Sequence, residues 1–406
     1  MLKKNVKYHN NKQGDVMFSS RVQKVAPSAT LQITAKAKAM KAKGEDVITL
    51  AAGEPDFDTP QHIKNALYQA VKEGFVYYTP TQGIPELRKA IAEKLEKDNK
   101  ISCNPDKEII VAPGAKQALY EAVLAITNPG DEILIPEPCW VSYEPMVQLA
   151  EGKPVFIPTY ERDGFRLNSE AVEKKITKKT RAVILNSPNN PTGVVLDGDT
   201  LKAIADLCVE HSLIAISDEI YEKIIYEAKH VSIASLPGMK ERTITVNGFS
   251  KTYSMTGWRL GYAAAPQKII EAMNRIQEHS ISCPTSFVQK AGIAALQGSQ
   301  ECVATMVKEF KKRRDAIVKK LNEIPNVTCV KPQGAFYAFA NFSAYEKDSF
   351  KLANFLLEEA KVAAIPGAAF GALGEGFLRL SYATGMENIN KGVERIEQAL
   401  EKLRKK

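Results

Sequence analysis

A lysine that follows a short β-branched run is the residue of this sequence best suited to nucleophilic chemistry. Lys251 stands in NGFSKTYSMTGWRLGY, just after the run RTITVN, with Arg259 eight positions further on. A nearby cation and partial removal from water lower the pKa of an ammonium group, and the resulting neutral amine can form an imine with an aldehyde. The alternative is an ordinary surface lysine, which is the better expectation for any isolated lysine.

A carboxylate at the end of another apolar run is the second candidate. Asp218 directly follows SLIAIS. A buried carboxylate is costly unless a cation pairs with it, and a protonated pyridine nitrogen is such a cation. That pairing would keep a ring cationic and able to accept electrons from the α-carbon of a substrate. Asp218 could instead cap the helix that follows it.

Three short motifs could hold an anionic, ring-shaped ligand next to these residues. PGAKQALY places Gly114 and free backbone N–H groups at the start of a predicted helix, which suits a phosphate, and Arg259 could donate two hydrogen bonds to the same group. Asn190 in SPNNPTG could donate to a ring oxygen, and Trp140 could stack on the ring. Each motif also has an ordinary structural explanation, a turn for Asn-Pro and core packing for tryptophan.

Buried strands that alternate with helices must position these residues. The apolar runs EIIVA, DEILIP, RAVILN, SLIAIS and RTITVN are separated by segments of helical periodicity, such as KQALYEAVLAIT. This pattern predicts an α/β fold with a mostly parallel sheet between helices. In an open parallel sheet, ligands bind beyond the carboxyl ends of the strands, so we expect the residues that follow the runs to face one crevice. These residues are Lys116, Trp140, Asn190, Asp218 and Lys251.

The chain is long enough for two or three domains at about 150 residues each. We predict that residues 1–62 form an N-terminal arm and part of a small domain, that 63–310 form the large ligand-binding domain, and that 311–406 form the C-terminal small domain. The last segment combines the runs GAFYAFA and FLRLSYA with the helix LANFLLEEAK, which is typical of an α+β unit. One helix, through Ala35 to Lys43, is predicted before the large domain.

Composition and charge argue against several classes of protein. The excess lysines behind the net charge of +8 are interspersed with acids, which favours a solvated helical face over a nucleic-acid surface. The six cysteines show no metal-ligand or redox spacing, so we predict reduced thiols, no metal site and a cytoplasmic protein. The sequence has no run of about 18 apolar residues that would predict a membrane span.

Taken together, the motifs resemble the class I aminotransferases of fold type I, which use pyridoxal 5′-phosphate (PLP), and especially the bacterial-type aspartate aminotransferases of subgroup Ib. The resemblance extends from Ser19 to the C-terminus and rests on several motifs in one order. They are PSAT, LAAGEPDFDTP, YTPTQGIPELRKAI, PGAKQAL, PCWVSY, SPNNPTG, SDEIY, SKTYSMTGWRLGY and FLRLSYA. The resemblance implies a large domain with a mostly parallel sheet, a smaller α+β domain, and a homodimer with two shared active sites.

The resemblance also implies roles toward the cofactor. Lys251 would form the Schiff base with PLP and then move the proton between the substrate α-carbon and the cofactor C4′, while Asp218 would pair with the pyridine nitrogen. The ring would lie against Trp140, with Asn190 and Tyr221 at its 3′-oxygen. The phosphate would be held around Gly114, Ala115, Lys116, Ser250 and Arg259, and Tyr78 would reach the phosphate in the neighbouring subunit's site. The implied catalytic residues are Lys251, Asp218 and Tyr78.

Substrate binding is implied in the same way. Arg379 in FLRLSYA matches the arginine that binds the α-carboxylate, with Gly53 against the same group. Lys116 occupies the position that recognises the distal carboxylate, with Thr30 nearby. Trp140 and Asn190 complete the expected substrate-binding set. The implied reaction is ping-pong transamination between L-aspartate and 2-oxoglutarate, and the alternatives are a bifunctional enzyme that also or mainly aminates prephenate to arogenate, or another class I aminotransferase.

Three positions depart from the animal and enteric enzymes of the family. Tyr143 stands where those enzymes have a histidine that supports the aspartate. Gly248 replaces a phosphate-binding serine, so that Ser250 would compensate, and ISCPTSFVQ offers no arginine for the distal carboxylate. All three departures are expected of subgroup Ib, and the last one makes Lys116 the candidate for that carboxylate.

Two other classes of protein compete with this interpretation. A ligand-sensing domain of a transcription regulator would follow a DNA-binding module, but only about eighteen residues precede Ser19, too few for a helix-turn-helix unit. A plain nucleotide-binding protein would need G-x-G-x-x-G or G-x-x-x-x-G-K-[ST] after a strand, and neither motif follows one. We therefore expect amino acids and 2-oxo acids as ligands, and neither nucleic acid nor membrane as a partner.

Overall fold

The computed structural model describes residues 18–404. Its strands are β1 (Ile48–Thr49), β2 (Ile109–Ala112), β3 (Glu132–Glu137), β4 (Lys153–Pro158), β5 (Thr180–Asn186), β6 (Ile214–Asp218), β7 (Thr243–Gly248), β8 (Gly261–Ala264), β9 (Thr328–Cys329), β10 (Tyr337–Asn341), β11 (Val362–Ala363), β12 (Ile365–Pro366) and β13 (Phe377–Ser381).

Its α-helices are α1 (Ser20–Gln23), α2 (Ala29–Ala42), α3 (Gln61–Lys72), α4 (Pro85–Lys94), α5 (Ala115–Ile126), α6 (Tyr143–Leu149), α7 (Ser169–Glu173), α8 (Gly198–Glu210), α9 (Gln267–Ser280), α10 (Ser286–Gln297), α11 (Glu301–Glu323), α12 (Ser349–Phe355) and α13 (Met386–Arg404). Helices α4 and α12 each continue into a π-helical turn, Leu95–Asn99 and Leu356–Ala360. Within residues 18–404, no helix combines the length and apolar composition that crossing a bilayer requires.

A seven-stranded sheet in the order β2-β8-β7-β6-β5-β3-β4 forms the centre of the larger region. In this sheet β8 runs antiparallel to its two neighbours, and the other neighbouring strands are parallel. Alternate residues of β6 belong to different apolar clusters. Ala215 belongs to the cluster that includes Leu201 of α8, whereas Ile216 belongs to the cluster that includes Leu119 of α5. Helices therefore cover both faces, which confirms the predicted α/β fold with a mostly parallel sheet.

The second region combines a four-stranded antiparallel sheet, in the order β12-β13-β10-β9, with α11, α12 and α13. The N-terminal segment joins it, because β1 pairs in parallel with β11. The predicted boundary between residues 310 and 311 falls inside α11. The division into residues 1–62, 63–310 and 311–406 stays a prediction.

Several elements differ from the sequence-based expectation. The edge strand β4 was not predicted, and its two prolines explain why, since proline in an apolar run argues against a central strand. Strand β8 was missed because Gly-Tyr-Ala-Ala has little β-propensity. Helix α2 begins at Ala29, six residues before the predicted Ala35, so that it includes Thr30.

A buried polar cluster joins the segment after β6 to the end of α4. Asn99 donates to the buried carboxylates of Glu219 and Glu222 at 2.8 and 2.6 Å, and Lys94 forms an ion pair with Glu222. The Nε2 atom of His230 lies 3.0 Å from Oε2 of Glu219. Burial alone would lower the pKa of His230, but the two carboxylates outweigh burial and raise it. A protonated His230 therefore balances the excess of two carboxylates over one lysine.

Replacement of His230 by glutamine is expected to destabilise the protein most at low pH. The pKa of His230 in the folded state lies above 6.5, so its ionic contribution is complete below pH 6.5 and is lost as pH rises through the folded-state pKa. We expect a loss of about 1–3 kcal/mol near pH 6 and a smaller one near pH 9, measured by thermal unfolding. The exposed His211→Gln is the control, and a loss that does not depend on pH would contradict a charged His230.

Candidate functional site

A cleft of about 770 Å³ opens beyond the carboxyl ends of β5, β6 and β7, between the central sheet and the second region. This volume lies in the range of pockets that hold small ligands and cofactors. Twelve of the predicted site residues line it. They are Thr30, Gly53, Ala115, Lys116, Trp140, Asn190, Asp218, Tyr221, Ser250, Lys251, Arg259 and Arg379.

Asp218 ends β6 and is only 4% exposed. The Tyr143 hydroxyl donates to its Oδ2 at 2.7 Å, and the backbone N–H of Ile220 donates to its Oδ1 at 3.2 Å. Burial raises the pKa of Asp218 to about 6 in spite of these two donors. One oxygen of Asp218 therefore accepts from the turn that follows β6, but no helix begins there for it to cap, as the structural alternative required. The buried carboxylate still favours a cation beside it.

Lys251 follows the end of β7 by three residues, and its Nζ donates to the carbonyl oxygen of Gly53 at 2.5 Å. Burial lowers the pKa of Lys251 to about 8. The carboxylate of Glu54 opposes this shift, while the guanidinium groups of Arg379 and Arg259 add to it. A substantial fraction of the amine is therefore neutral near pH 8, as nucleophilic chemistry requires.

The N-terminus of α5 and Arg259 together form a site suited to an anion. Gly114 precedes α5 with φ of 90°, and a Cβ atom there would collide with the Arg259 guanidinium. A Cβ atom at Gly261 would likewise collide with the backbone of Ala115, so the close approach of β8 to α5 needs glycine. Ser250 is buried in the same cleft. Free N–H groups and a guanidinium that face each other are complementary to phosphate.

Arg379 of β13 is buried, and no carboxylate of residues 18–404 forms an ion pair with it. Its Nη1 donates to Asn190 Oδ1 at 3.0 Å and its Nη2 donates to the carbonyl oxygen of Ala51 at 2.9 Å. Its Nε has no hydrogen-bond partner in the described chain, and the guanidinium lies 4.3 Å from the ring centroid of Tyr337. Burial lowers the pKa of Arg379. A ligand carboxylate would supply both the missing acceptor and the missing charge.

Two tyrosine hydroxyls meet beside this arginine. The Oη atoms of Tyr221 and Tyr337 lie 2.8 Å apart, and both side chains are buried. Burial raises the pKa of both hydroxyls, so they stay neutral and can donate. Tyr337 was not predicted, because its run GAFYAFA carries no motif and only the pairing of β10 with β13 brings it to Arg379.

Lys116 and Trp140 form one wall of the cleft. The Lys116 Nζ lies 4.9 Å from the centroid of the Trp140 ring, which in turn packs edge-on against Tyr143 at 5.3 Å. Burial, with a smaller contribution from Arg259, lowers the pKa of Lys116. Thr30 of α2 lines the same cleft, and its hydroxyl lies 2.9 Å from the Ser28 hydroxyl.

Two predicted site residues do not line the cleft. Gly114 lies just behind it, against Arg259. Tyr78 is 88% exposed and lies outside the cleft of its own chain, next to Tyr77, which is 82% exposed. The predicted role of Tyr78 needs a second chain, and it stays a prediction.

Sequence reasoning missed other residues of the cleft. Asn186 ends β5, donates to the Asp218 carbonyl oxygen at 3.0 Å and accepts from the Asn190 backbone N–H at 2.9 Å. Its place at the end of RAVILN was the signal that could have found it. Glu54 lies one residue after the predicted Gly53 and accepts from Thr256 at 2.9 Å. Two lysines of α2 were also missed, and no motif marks them.

Comparison with known proteins identifies the family of this chain. Residues 45–396 match the family model described as aminotransferase class I and II. The aspartate aminotransferase of Pyrococcus abyssi is 50% identical over 386 residues, 94% of this chain and 98% of that protein. The probable aspartate/prephenate aminotransferase of Aquifex aeolicus is 49% identical over 393 residues, 95% of this chain and 99% of that protein.

A solved structure of the aspartate aminotransferase from Thermus thermophilus with maleate matches with a TM-score of 0.92 at 42% identity, over 95% of this chain and 100% of that chain. Fold and site thus define a transaminase. The chain belongs to the class I and II aminotransferases, and its fold is that of fold type I.

Lys251 is expected to react with an amine-acylating reagent at unusually low pH. Because its pKa is lowered to about 8, the reaction of cofactor-free protein should show a midpoint near pH 8 at this residue. Peptide mass spectrometry after brief acylation across a pH series measures it. Exposed lysines outside the cleft are the internal control and should react only near the ordinary lysine pKa of about 10.4. A midpoint for Lys251 in that higher range would contradict the effect of burial.

Proposed function

We propose that this chain uses PLP to transfer an amino group between L-aspartate and 2-oxoglutarate in two alternating half-reactions. One observation carries the proposal: three unusual groups share one cleft. They are a buried carboxylate that forms no ion pair among the described residues, an amine of lowered pKa, and a buried guanidinium whose Nε has no partner in that part of the chain. They belong to Asp218, Lys251 and Arg379. The name of the Pyrococcus abyssi relative supports the same pair of substrates.

The residues of the cleft fit the ring of PLP. Asp218 would hold the pyridine nitrogen in its protonated form, and Lys251 would hold the aldehyde carbon. Trp140 offers an aromatic face, and Tyr221 and Asn190 offer donors for the ring oxygen. When bound, PLP supplies a cationic ring that withdraws electrons from the substrate α-carbon and so stabilises negative charge there.

The phosphate of PLP would lie at the N-terminus of α5. There the backbone N–H groups that follow Gly114, the Arg259 guanidinium and the Ser250 hydroxyl supply donors from three segments of the chain. The positive end of a helix favours a dianion at this position. The chain therefore holds ring and phosphate through independent groups.

The protein's own groups would bind the substrate and move its proton. Arg379 would bind the α-carboxylate, and its contacts with Asn190, Ala51 and Tyr337 keep the guanidinium fixed before the substrate arrives. Lys251 would carry the proton between the substrate α-carbon and C4′ of the cofactor, because an amine with a pKa of about 8 exchanges protons readily near neutral pH.

Lys116 and Thr30 would receive the distal carboxylate. Lys116 is held by the face of Trp140 and points into the cleft, and the Thr30 hydroxyl can donate. The Thermus thermophilus structure is one with maleate, a dicarboxylate, which supports a dicarboxylate as the ligand of this cleft. Aspartate and 2-oxoglutarate both fit this requirement.

A second candidate is the amination of prephenate to arogenate. The Aquifex aeolicus relative is named a probable aspartate/prephenate aminotransferase. Prephenate is also a 2-oxo acid with a second carboxylate, so Arg379 and Lys116 could bind it by the same two contacts. We place aspartate first because it occurs in the names of all three relatives, those of Pyrococcus abyssi, Aquifex aeolicus and Thermus thermophilus.

Lys116→Ala is expected to act selectively on dicarboxylic substrates. We expect kcat/KM for aspartate to fall about 100-fold, as the loss of a charge-assisted contact implies, and kcat/KM for alanine to fall less than about threefold. Each half-reaction is followed by the absorbance of the PLP-loaded enzyme, and alanine is the internal control. Equal losses would contradict the role of Lys116, and failure of the unmodified enzyme to convert aspartate and 2-oxoglutarate would contradict the function.

We also propose a cytoplasmic homodimer in which Tyr78 reaches the phosphate in the partner's cleft. Tyr78 directly follows the exposed Val76 and Tyr77 in the chain, and exposed apolar side chains that occur together mark interaction surfaces. The cytoplasmic location is supported by the six cysteines, which form no disulfide bond with one another in the structure.

Tyr78→Phe is expected to weaken PLP binding although Tyr78 lies outside the cleft of its own chain. Loss of one hydrogen bond to a charged phosphate should raise the Kd for PLP about tenfold or more. Tyr77→Phe is the matched control, because Tyr77 is 82% exposed in the same segment. Light scattering should give about twice the chain mass of 44.7 kDa. A monomer, or equal effects of the two variants, would contradict the shared site.

A further inference from the structure

One face of helix α2 forms part of the cleft wall. The residues of α2 that line the cleft are Thr30, Leu31, Thr34, Lys38 and Lys41. After the adjacent Thr30 and Leu31, successive residues of this set are three or four positions apart, which places them on one side of an α-helix. The two lysines therefore point toward the cleft from the C-terminal half of α2, beyond Thr30 and Thr34.

The packing of α2 does not depend on these two lysines. Ile33 and Ala37 are buried on another side of the helix and anchor it in the core. Lys36 forms the ion pair of this helix with the second region, at 2.9 Å from Glu358. Lys38 and Lys41 are exposed and take part in none of the ion pairs within residues 18–404.

The nearby carboxylates are already engaged. Lys41 also borders a surface depression that contains Glu45 and Asp46. Glu45 pairs with Lys361 at 2.6 Å, and Asp46 pairs with Lys391 at 3.1 Å and with an arginine of α13. The positive charge of Lys41 is therefore not neutralised on that side.

The cleft as a whole carries more cations than its proposed ligands use. Among the residues that the structure describes, six cationic side chains and two carboxylates line it. The cations are Lys38, Lys41, Lys116, Lys251, Arg259 and Arg379, and the carboxylates are Glu54 and Asp218. The proposed function uses the last four cations for PLP and for the two carboxylates of the substrate, which leaves the two lysines of α2 unassigned.

We propose that Lys38 and Lys41 form an entrance site for dicarboxylates, which attracts dianionic substrates into the cleft before their distal carboxylate reaches Lys116. This inference rests on the proposed function, since it concerns the substrates of the same cleft. Like charges that line a concave surface focus the field and raise the local concentration of oppositely charged ligands. The attraction grows with ligand charge, so a dianion gains about twice the interaction of a monoanion.

Screening by salt distinguishes this site from direct contacts deep in the cleft. The Debye length is about 30 Å at 0.01 M ionic strength and about 4 Å at 0.5 M, so attraction by exposed lysines is almost abolished at high salt. A buried contact such as that of Arg379 is screened much less. An entrance site therefore predicts an effect that is large at low salt and disappears at high salt.

The test compares a dianionic and a monoanionic 2-oxo acid in the PLP-loaded enzyme. The aminated enzyme is mixed with 2-oxoglutarate or with pyruvate, and kcat/KM is taken from single turnovers near 0.01 M and near 0.5 M ionic strength. For Lys38→Gln/Lys41→Gln at low salt, we expect kcat/KM to fall about tenfold with 2-oxoglutarate and at most about threefold with pyruvate. At high salt, kcat/KM should fall less than about twofold with either oxo acid. Lys38→Gln alone and Lys41→Gln alone should each show part of this decrease in kcat/KM.

Two control variants isolate the charge and its position. Lys38→Arg/Lys41→Arg keeps both charges and should retain the rates of the unmodified enzyme. Lys43→Gln removes one charge just after α2, outside the cleft lining, and should lower kcat/KM less than either Lys38→Gln or Lys41→Gln does. Equal relative losses for the two oxo acids, a loss that persists at high salt, or a similar loss in either control would overturn the entrance site.

A binding measurement separates this inference from the proposed function. The PLP-loaded enzyme is titrated calorimetrically with maleate, which is a dicarboxylate without a transferable group. At low salt the glutamine double variant should have a higher Kd for maleate than the unmodified enzyme. At high salt this difference in Kd should be smaller. If the enzyme transaminates neither oxo acid, the proposed function fails while this titration still tests Lys38 and Lys41. An unchanged Kd for maleate at low salt would overturn the entrance site.

Discussion

A carboxylate buried at the end of a strand is the constraint on which the rest of this site depends. Asp218 is held by two donors that do not cancel its charge, so the cleft favours a cation beside it. Glu219, the next residue, faces the opposite way into the cluster with Lys94 and His230. The contacts of Glu219 therefore fix the end of β6 on the side away from the cleft. The Asp218 carboxylate cannot easily turn away from the cleft to reach water.

The two regions of the fold contribute different parts of the chemistry. The central sheet supplies Asp218 and Lys251, which would hold and activate the cofactor, whereas the second region and its N-terminal segment supply Arg379, Gly53 and Thr30, which would bind the substrate. Contacts across the cleft, such as that between Lys251 and the Gly53 carbonyl, join the two sets. Substrate preference can thus change through α2 and β13 without a change in the groups that move the proton.

Residues at strand ends could be predicted from the sequence, because five short apolar runs mark where parallel strands stop. Asp218 and Lys251 needed only this rule, and the structure brings both into one cleft. Tyr337 and the lysines of α2 could not be predicted in this way. Their positions depend on long-range pairing and helix rotation, which local periodicity does not report. The role of Tyr78 was predicted through the family resemblance alone, because it requires a second subunit that local patterns do not report.

Strands with weak local signals were also missed, and the reason is physical. Strand β4 contains two prolines at the edge of the sheet, and β8 is built of glycine, tyrosine and alanine. Each segment forms a strand because neighbouring strands of the sheet supply its hydrogen-bond partners. Strand β8 has such a neighbour on both sides. Tertiary pairing outweighs intrinsic propensity at such positions.

The most direct test of the site is to identify the lysine that carries PLP. The PLP-loaded protein is treated with sodium borohydride, digested with trypsin and analysed by mass spectrometry. We expect the added mass of the reduced cofactor on the peptide that contains Lys251, and no covalent label in Lys251→Ala. A label on another lysine, or one that persists in Lys251→Ala, would contradict the assignment of Lys251 and with it the proposed chemistry of the cleft.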